Sequence, residues 1–195
     1  MKLGMFEMRI VGGNEAADGY VGLMHGQQYP VELCNHGPRA CDVELTIDGV
    51  AAGVFRLNGN TYCRIEHPVH DLGHFTFFEL ATPDAHSAGL KSNDEMGLVK
   101  AVFMPEWVQP AGVLFSSPTS GFDVTVHDLA VPNLAPGGTG LTGESQQNYG
   151  SARAIRRAGE SEFVTIHLRL GGKSHTDIRP LTGTSLSNPV PPPLS

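Results

Sequence analysis

Residues Cys41–His67 read CDVELTIDGVAAGVFRLNGNTYCRIEH, and this stretch decides the fold class. Its first part alternates strictly, with Val43, Leu45 and Ile47 separated by polar or charged residues. An alternation with a period of two indicates a β-strand that has one buried face and one face in water. The strand ends at Asp48-Gly49, a dipeptide typical of the tight turn of a β-hairpin.

The second part of the stretch contains another turn signal. Asn58-Gly59-Asn60 separates two runs that favour β-structure, Gly53–Leu57 and Thr61–His67. Asn-Gly between such runs is a strong local signal for a hairpin, so we predict that these two runs pair with each other. Further runs that predict strands occur along the rest of the chain: Phe6–Val11, Tyr29–Asn35, His74–Leu80, Gly97–Met104, Phe122–Leu129, Asn148–Arg157 and Phe163–Leu170.

These runs predict an all-β protein. About eight short strands separated by turns are typical of an antiparallel β-sandwich, and we predict a jelly-roll-like arrangement. We divide the chain into an N-terminal arm or first strand (residues 1–27), one sandwich domain (residues 28–170) and an extended, proline-rich C-terminal arm (residues 171–195). We expect the polar segment Ala81–Met96 to be a loop and the glycine-rich Pro136–Gly143 to be a flexible connection.

The composition argues against several functional classes. The 195 residues carry a formal net charge of −7, so the chain lacks the overall basic character that sequence-independent binding to nucleic acid requires. No apolar run is long enough to span a membrane. Phosphate-binding loops, nucleophile elbows and dinucleotide fingerprints are absent from the sequence. We therefore expect no cofactor and no enzymatic activity.

The three cysteines, Cys34, Cys41 and Cys63, form neither a CxxC pair nor a disulfide framework. We expect them to be small buried side chains, and a Cys34–Cys41 bridge across a loop is the alternative. A chain without a disulfide framework is typical of synthesis and folding in the cytoplasm.

The stretch HPVHDLGH (residues 67–74) contains three histidines and raises the question of a metal site. His70 and His74 have the i, i+4 spacing of zinc ligands on a helix, but the proline and glycine within the stretch argue against a helix. The HxH pair of cupin-type metalloenzymes does not occur in it either. We therefore expect a surface loop with exposed imidazoles. A cupin-like metalloenzyme with His67, His70 and His74 as ligands is a remote alternative.

Trp107, in the stretch MPEWVQP, is the single tryptophan of the chain. It lies in a segment rich in proline and glycine that we expect to leave the sandwich as an excursion. An exposed aromatic ring can stack on a sugar, so the alternative function is a carbohydrate- or receptor-binding β-sandwich module. A different role for Trp107 is to close one end of the sandwich or to contact a second subunit.

The segment Tyr29–Leu80 resembles a loosely defined group of small, mostly uncharacterised β-sandwich proteins of bacteriophages, large DNA viruses and their bacterial relatives. The likeness consists of a strand that ends in Asn, a strand that ends in Asp-Gly, a short strand before a turn, and an Ile-Glu strand before an aromatic run. The stretches GLVKAVF (Gly97–Phe103) and Gly140–Leu170 share the same outline.

This resemblance implies a jelly-roll fold and a place in a virus particle. We therefore expect a non-enzymatic structural virion protein, such as a minor capsid, vertex, decoration or spike-base subunit. We also expect a homo-oligomer, either a trimer or a pentamer, that contacts other capsid proteins through its C-terminal arm. The expected location is the virion, assembled in the host cytoplasm.

Overall fold

The computed structural model describes residues 1–16, 18–109 and 134–173. The strands within these ranges are β1 (Lys2–Leu3), β2 (Phe6–Ile10), β3 (Asn14–Glu15), β4 (Tyr20–Leu23), β5 (Val31–Asn35), β6 (Cys41–Ile47), β7 (Val50–Leu57), β8 (Thr61–Ile65), β9 (His74–Glu79), β10 (Leu98–Pro105), β11 (Gly137–Thr142) and β12 (Val164–Gly172). The helices are α1 (Pro83–Ser87) and one 3-10 turn (Glu160–Glu162). The predicted all-β class is confirmed, with more strands than the eight or so expected.

The strands form three sheets. Four strands lie in the order β1-β2-β5-β8, six lie in the order β3-β4-β12-β10-β6-β7, and β11 pairs with β9. All strand pairs are antiparallel except β4 with β12. The predicted turn at Asp48-Gly49 is confirmed, and β6 and β7 pair across it. The apolar strand β10 lies centrally, between β12 and β6. Its Val99, Ala101 and Phe103 are buried, whereas the side chains that alternate with them are only partly buried.

One hydrophobic core lies between the four-stranded and the six-stranded sheet. Met8 of β2 and Leu168 of β12 are buried in the same cluster. The ring of Phe6 in β2 stacks on the ring of Phe103 in β10, with the ring centroids 4.8 Å apart. Each fully buried aliphatic or aromatic side chain contributes roughly 1.5–3 kcal/mol, so contacts between the two sheets are a main source of stability.

Residues 1–27 contribute to both sheets rather than forming an extended arm. Strands β1 and β2 belong to the four-stranded sheet, while β3 and β4 belong to the six-stranded sheet. Phe6, Met8 and Ile10 alternate inward and are each at most 5% exposed. The burial of these side chains holds the N-terminal strands in place.

The predicted hairpin across Asn58-Gly59-Asn60 is wrong. Strand β7 pairs with β6 in the six-stranded sheet, whereas β8 pairs with β5 in the four-stranded sheet. The turn is a corner that packs against the connection between β5 and β6. Asn35 Nδ2 donates to the carbonyl oxygen of Asn58 at 3.1 Å, and the amide of Asn60 donates to the carbonyl oxygen of Gly37 at 2.8 Å. These bonds give the backbone groups of the turn partners that do not belong to a strand ladder. The chain then continues into the other sheet.

The glycine-rich stretch Pro136–Gly143 is not a flexible connection, because it contains strand β11. A Cβ atom on Gly137 would come within 2.4 Å of Phe77 Cζ, and one on Gly140 within 2.7 Å of Phe78 Cε2. Glycine removes these clashes and allows the backbone of β11 to lie directly on two aromatic rings of β9. The glycines that suggested flexibility are therefore a packing requirement.

The stretch Asn148–Arg157, for which we predicted a strand, is irregular apart from one isolated bridge between Arg157 and Glu106. Some of its carbonyl oxygens bond to groups outside any ladder. Arg56 Nη1 donates to the carbonyl oxygen of Arg153 at 2.8 Å. The segment is therefore fixed by side chains that reach it from neighbouring elements.

The expected loop Ala81–Met96 contains the short helix α1. The helix begins because Thr82 Oγ1 accepts a hydrogen bond from the amide of Ala85 at 3.2 Å, which is an N-cap. The predicted strand Phe122–Leu129 and residues 174–195 of the predicted C-terminal arm lie outside the described residues. In the part of the chain that the structure describes, no helix has the length and apolar character to cross a membrane.

Candidate functional site

His67 lies in the interior, so its predicted exposure in a surface loop is wrong. The residue is 2% exposed. Its Nδ1 atom lies 2.7 Å from the carbonyl oxygens of both Pro68 and Asp71, and its Nε2 atom lies 2.9 Å from that of Gln147. A neutral imidazole has only one N–H group, so acceptors at both nitrogens favour the doubly protonated cation. Burial lowers the pKa of His67, but its hydrogen bonds to the three carbonyls outweigh this and raise the pKa above the usual value.

Tyr149 covers the buried imidazole. The two ring centroids are 4.6 Å apart, and Tyr149 Oη donates to the carbonyl oxygen of His67 at 2.7 Å. The other side of the tyrosine ring packs edge-on against Phe55 of β7 at 5.3 Å. Gln147 makes a further hydrogen bond between the two segments, because its Oε1 atom accepts from the amide of Glu66 at 3.0 Å. His67 therefore joins the connection between β8 and β9 to the irregular segment that follows β11.

The other two histidines do not join His67 in a metal site. His70 is exposed, and the half-buried His74 places Nδ1 3.8 Å from Glu66 Oε2. Both nitrogens of His67 are already occupied by carbonyl oxygens. The three imidazoles therefore do not share a ligand position, and the arrangement gives no support to the cupin-like alternative.

Trp107 is half-buried beside the irregular segment. Its amide donates to the carbonyl oxygen of Arg156 at 2.7 Å, and the Arg156 guanidinium carbon lies 4.0 Å from the centre of the indole ring. This cation–π contact occupies one of the two indole faces on which a sugar would stack. A ligand-binding or interface role for Trp107 stays a prediction.

An apolar cleft of 680 Å³ lies beside β7, the edge strand of the six-stranded sheet. It is bounded by β7, the connection after β8, the segment after α1, and β11. The residues that line the cleft are Ile47, Asp48, Val50, Ala51, Ala52, Pro68, Phe75, Ala88, Gly89, Leu90, Lys91, Asn93, Met96, Thr139, Gly140 and Leu141. Only two of these side chains carry a formal charge, and the apolar groups predominate.

The carboxylate of Asp48 forms part of the floor of the cleft. Its Oδ1 atom accepts from the amide of Gly97 at 2.7 Å, and its Oδ2 atom accepts from the amide of Thr139 at 2.6 Å. Burial raises the pKa of Asp48, although both amide donors and Arg169 favour the ionised form. Because both oxygens are engaged, Asp48 ties the β6–β7 turn to β10 and β11 rather than presenting a free catalytic acid.

The cleft opens between large apolar side chains that face solvent. We call these side chains the cleft rim: Val50 (70% exposed) and Leu141 (42%), both of which line the cleft. Two further exposed apolar side chains, Val69 and Leu72, lie on the connection after β8: Val69 packs against Gly53 of β7, and Leu72 precedes Gly73, whose backbone lies against Leu141. Soluble monomers rarely expose extended apolar patches, so this surface is typical of a contact with another molecule.

A different kind of cluster occupies the outer face of the four-stranded sheet. Glu7, Cys34 and His36 place one potential ligand atom each within 4.8 Å of the others. His36 Nε2 lies 2.9 Å from Glu7 Oε2, and Arg9 Nε donates to Glu7 Oε1 at 2.7 Å. Burial raises the pKa of Glu7, but the hydrogen bonds from His36 and Arg9 outweigh it and lower the pKa below the usual value.

Sequence reasoning missed this cluster. Cys34 and His36 are two residues apart, a spacing that puts two side chains on the same side of an extended chain, although β5 itself ends at Asn35. The position of Glu7 could not be predicted from the sequence, because it depends on the antiparallel register that sets Glu7 opposite Cys34. The cluster is thus a product of strand pairing.

The three cysteines are free thiols, so the alternative of a Cys34–Cys41 bridge is wrong. Cys34 and Cys41 are buried as expected, whereas Cys63 is half-buried. Burial raises the pKa of Cys41 to about 12 and that of Cys63 to about 11. At neutral pH both are protonated and act as small apolar side chains.

The described residues thus contain a buried histidine with carbonyl oxygens at both ring nitrogens, an apolar cleft suited to a contact, and a polar cluster with the donor types of a metal site. No protein-family model, no curated protein and no solved structure matches this chain.

Proposed function

We propose that this protein is a non-enzymatic structural subunit of a virus particle, of the minor capsid, vertex, decoration or spike-base type. It assembles with copies of itself as a trimer or pentamer, contacts other virion proteins through its C-terminal segment, and resides in the virion after assembly in the host cytoplasm. The observation that carries the proposal is the apolar cleft with its exposed rim.

The character of the cleft favours a second copy of the chain as its occupant. The charged residues of its lining are Asp48, whose oxygens already bind two backbone amides, and Lys91. The whole chain carries a formal net charge of −7, so two copies repel each other overall. In a closed ring of three or five copies, each cleft receives a different surface of the next copy, and the nearly neutral, apolar contact avoids that repulsion and buries the rim.

The connection order of the strands supports a jelly-roll-like fold for the subunit. Strands β5 and β8 pair in one sheet, while β6 and β7, which lie between them in sequence, pair in the other. The chain therefore crosses between sheets twice, like a long hairpin folded over on itself. A jelly roll is built from such folded pairs, and its flat sides and loop-bearing ends suit closed rings.

The test is the mass of the assembly that the full chain forms in solution, and the effect of rim substitutions on that mass. We expect analytical ultracentrifugation to give three or five times the 20.8 kDa of the chain, and electron microscopy to show closed rings. Val50→Asp and Leu141→Asp place a charge on the rim at exposed positions, so they should leave the fold intact and weaken assembly at least tenfold.

Leu3→Asp is the matched control, because Leu3 is 53% exposed on β1, the edge strand of the other sheet farthest from β8. It should assemble like the unmodified chain. A wild-type protein that stays monomeric at high concentration would refute the proposed function. An oligomer that both rim variants leave intact would show that the cleft is not the interface.

A further inference from the structure

The outer face of the four-stranded sheet brings together three different metal-ligand types. Glu7 and Cys34 are directly opposed on β2 and β5, and His36 follows Cys34 by two residues. Their ligand atoms all lie within 4.8 Å of one another. A carboxylate and a thiol on one pair of strands, with an imidazole directly after the second strand, form a donor set that suits zinc better than magnesium or calcium.

We propose that Glu7, Cys34 and His36 bind one Zn²⁺-type divalent ion. Zinc bonds of about 2.0–2.3 Å place tetrahedral ligands roughly 3.3–3.8 Å apart, so the cluster has to close by about 1 Å. His36 supplies this movement, since its side chain is 44% exposed and is held by one hydrogen bond to Glu7. The ion replaces that hydrogen bond with two coordinate bonds.

The neighbouring arginine is compatible with the ion. Arg9 bonds to Oε1 of Glu7, whereas His36 faces Oε2, so the metal and the guanidinium use different oxygens of one carboxylate. Arg9 Nη1 also lies 3.9 Å from Oε1 of Glu32, which supplies a second negative charge. Zn²⁺ with one carboxylate and one thiolate is neutral as a group, so it does not repel Arg9 as a free dication would.

Binding requires one proton to leave the site. The Cys34 thiol loses its proton to solvent as the sulfur–metal bond forms, and the imidazole binds through a neutral nitrogen. Three protein ligands leave the fourth tetrahedral position open. A depression of 380 Å³ adjoins the cluster and is lined by Cys34, His36 and Tyr62 among others, so water or an added donor can reach that position.

The metal-ligand cluster and the apolar cleft are separate parts of the molecule. The cluster lies on the outer face of β2 and β5 in the four-stranded sheet, and the apolar cleft lies beside β7 in the other sheet. Metal binding and assembly therefore have separate measurements and separate variants.

The experiment uses the full chain freed of metal with a chelator and then titrated with Zn²⁺ or Co²⁺ alone. We expect one Zn²⁺ per chain after dialysis and a thiolate-to-cobalt charge-transfer band with Co²⁺. Cys34→Ser should abolish that band. His36→Gln should weaken Zn²⁺ binding at least tenfold, and because His36 is exposed this variant tests the site even if Cys34→Ser fails to fold.

His70→Gln removes an exposed histidine outside the cluster and is the matched control for His36→Gln. It should bind Zn²⁺ like the unmodified chain. Absence of the cobalt band in the unmodified chain would overturn the proposal. Equal Zn²⁺ affinity in the His36→Gln variant and in its control would overturn it as well, because the ion would then bind elsewhere.

Discussion

Replacement of His67 by phenylalanine should destabilise this protein strongly, although sequence patterns place His67 in a surface loop. Phenylalanine preserves a planar ring that can pack against Tyr149. It removes both ring N–H donors, and with them the bonds to the carbonyl oxygens of Pro68, Asp71 and Gln147. The substitution thus tests the hydrogen bonds while it changes the packing little.

The expected magnitude follows from those bonds. Hydrogen bonds from a charged donor contribute roughly 1.5–3 kcal/mol each, and a buried carbonyl left without a partner adds a further penalty. Loss of two donors in a residue that is 2% exposed should therefore lower the free energy of unfolding by roughly 3–5 kcal/mol. Small domains have only about 5–15 kcal/mol in total, so the change is large.

The pH dependence provides an independent check. The pKa of His67 is raised in the folded state, so the folded protein holds this proton more tightly than the unfolded chain does. The stabilising effect is fully present below the unfolded value of about 6.5 and is lost as the pH rises through the folded pKa. The negative charge of the neighbouring Glu66 acts in the same direction.

Urea unfolding of the unmodified chain, His67→Phe and the exposed-site control His70→Phe measures both effects. We expect the gap between the unmodified chain and His67→Phe to be wider at about pH 6 than at about pH 8.5, and the control to show little change. An NMR titration should place the His67 pKa above 6.5. A ring that titrates below that value, or a His67→Phe variant as stable as the control, would refute the reasoning.

Three further outcomes test the structure. Gly137→Ala should destabilise the protein by roughly 1–3 kcal/mol in thermal or urea unfolding, because its Cβ has no room, whereas Gly150→Ala meets nothing within 4 Å and should be nearly neutral. Asp48→Asn should cost roughly 1–3 kcal/mol, since one backbone amide then faces an NH₂ group, while the exposed Asp94→Asn should not. The buried Cys41 thiol, with a pKa of about 12, should resist alkylation until the protein is unfolded, and fast labelling of the native protein would contradict its burial.

The apolar cleft and the cluster of metal-ligand side chains differ in how narrowly their chemistry defines what they bind. The apolar cleft accepts any partner that buries apolar area, and only the neutrality of its lining favours a second copy of the chain. The Glu7, Cys34 and His36 cluster has a defined donor set and admits a narrow class of ions. Mass measurements of the rim variants and metal titrations of the cluster variants therefore report on two independent proposals.

Local sequence determined several strands and the face that each of them buries, although it predicted a flexible connection where β11 lies and a strand at Asn148–Arg157. The alternation in β6 and β12 placed Val43, Leu45, Ile166 and Leu168 in the core, where the structure has them at most 2% exposed. The Asp48-Gly49 turn was also readable, because its positive backbone angles suit a tight turn. Side-chain period and turn geometry are properties of a few consecutive residues. These predictions therefore did not require knowledge of which other strand each segment contacts.

Tertiary structure alone decided which strands pair and which side chains meet. Asn58-Gly59-Asn60 has the residues of a hairpin, yet its hydrogen bonds to the β5–β6 connection turn it into a corner between sheets. The requirement for glycine in β11 is visible only in the folded structure, where Phe77 lies against Gly137. His67 is buried because the distant Gln147 supplies an acceptor. These outcomes depend on contacts between residues far apart in sequence. A local sequence pattern does not contain information about which distant residue will make the contact.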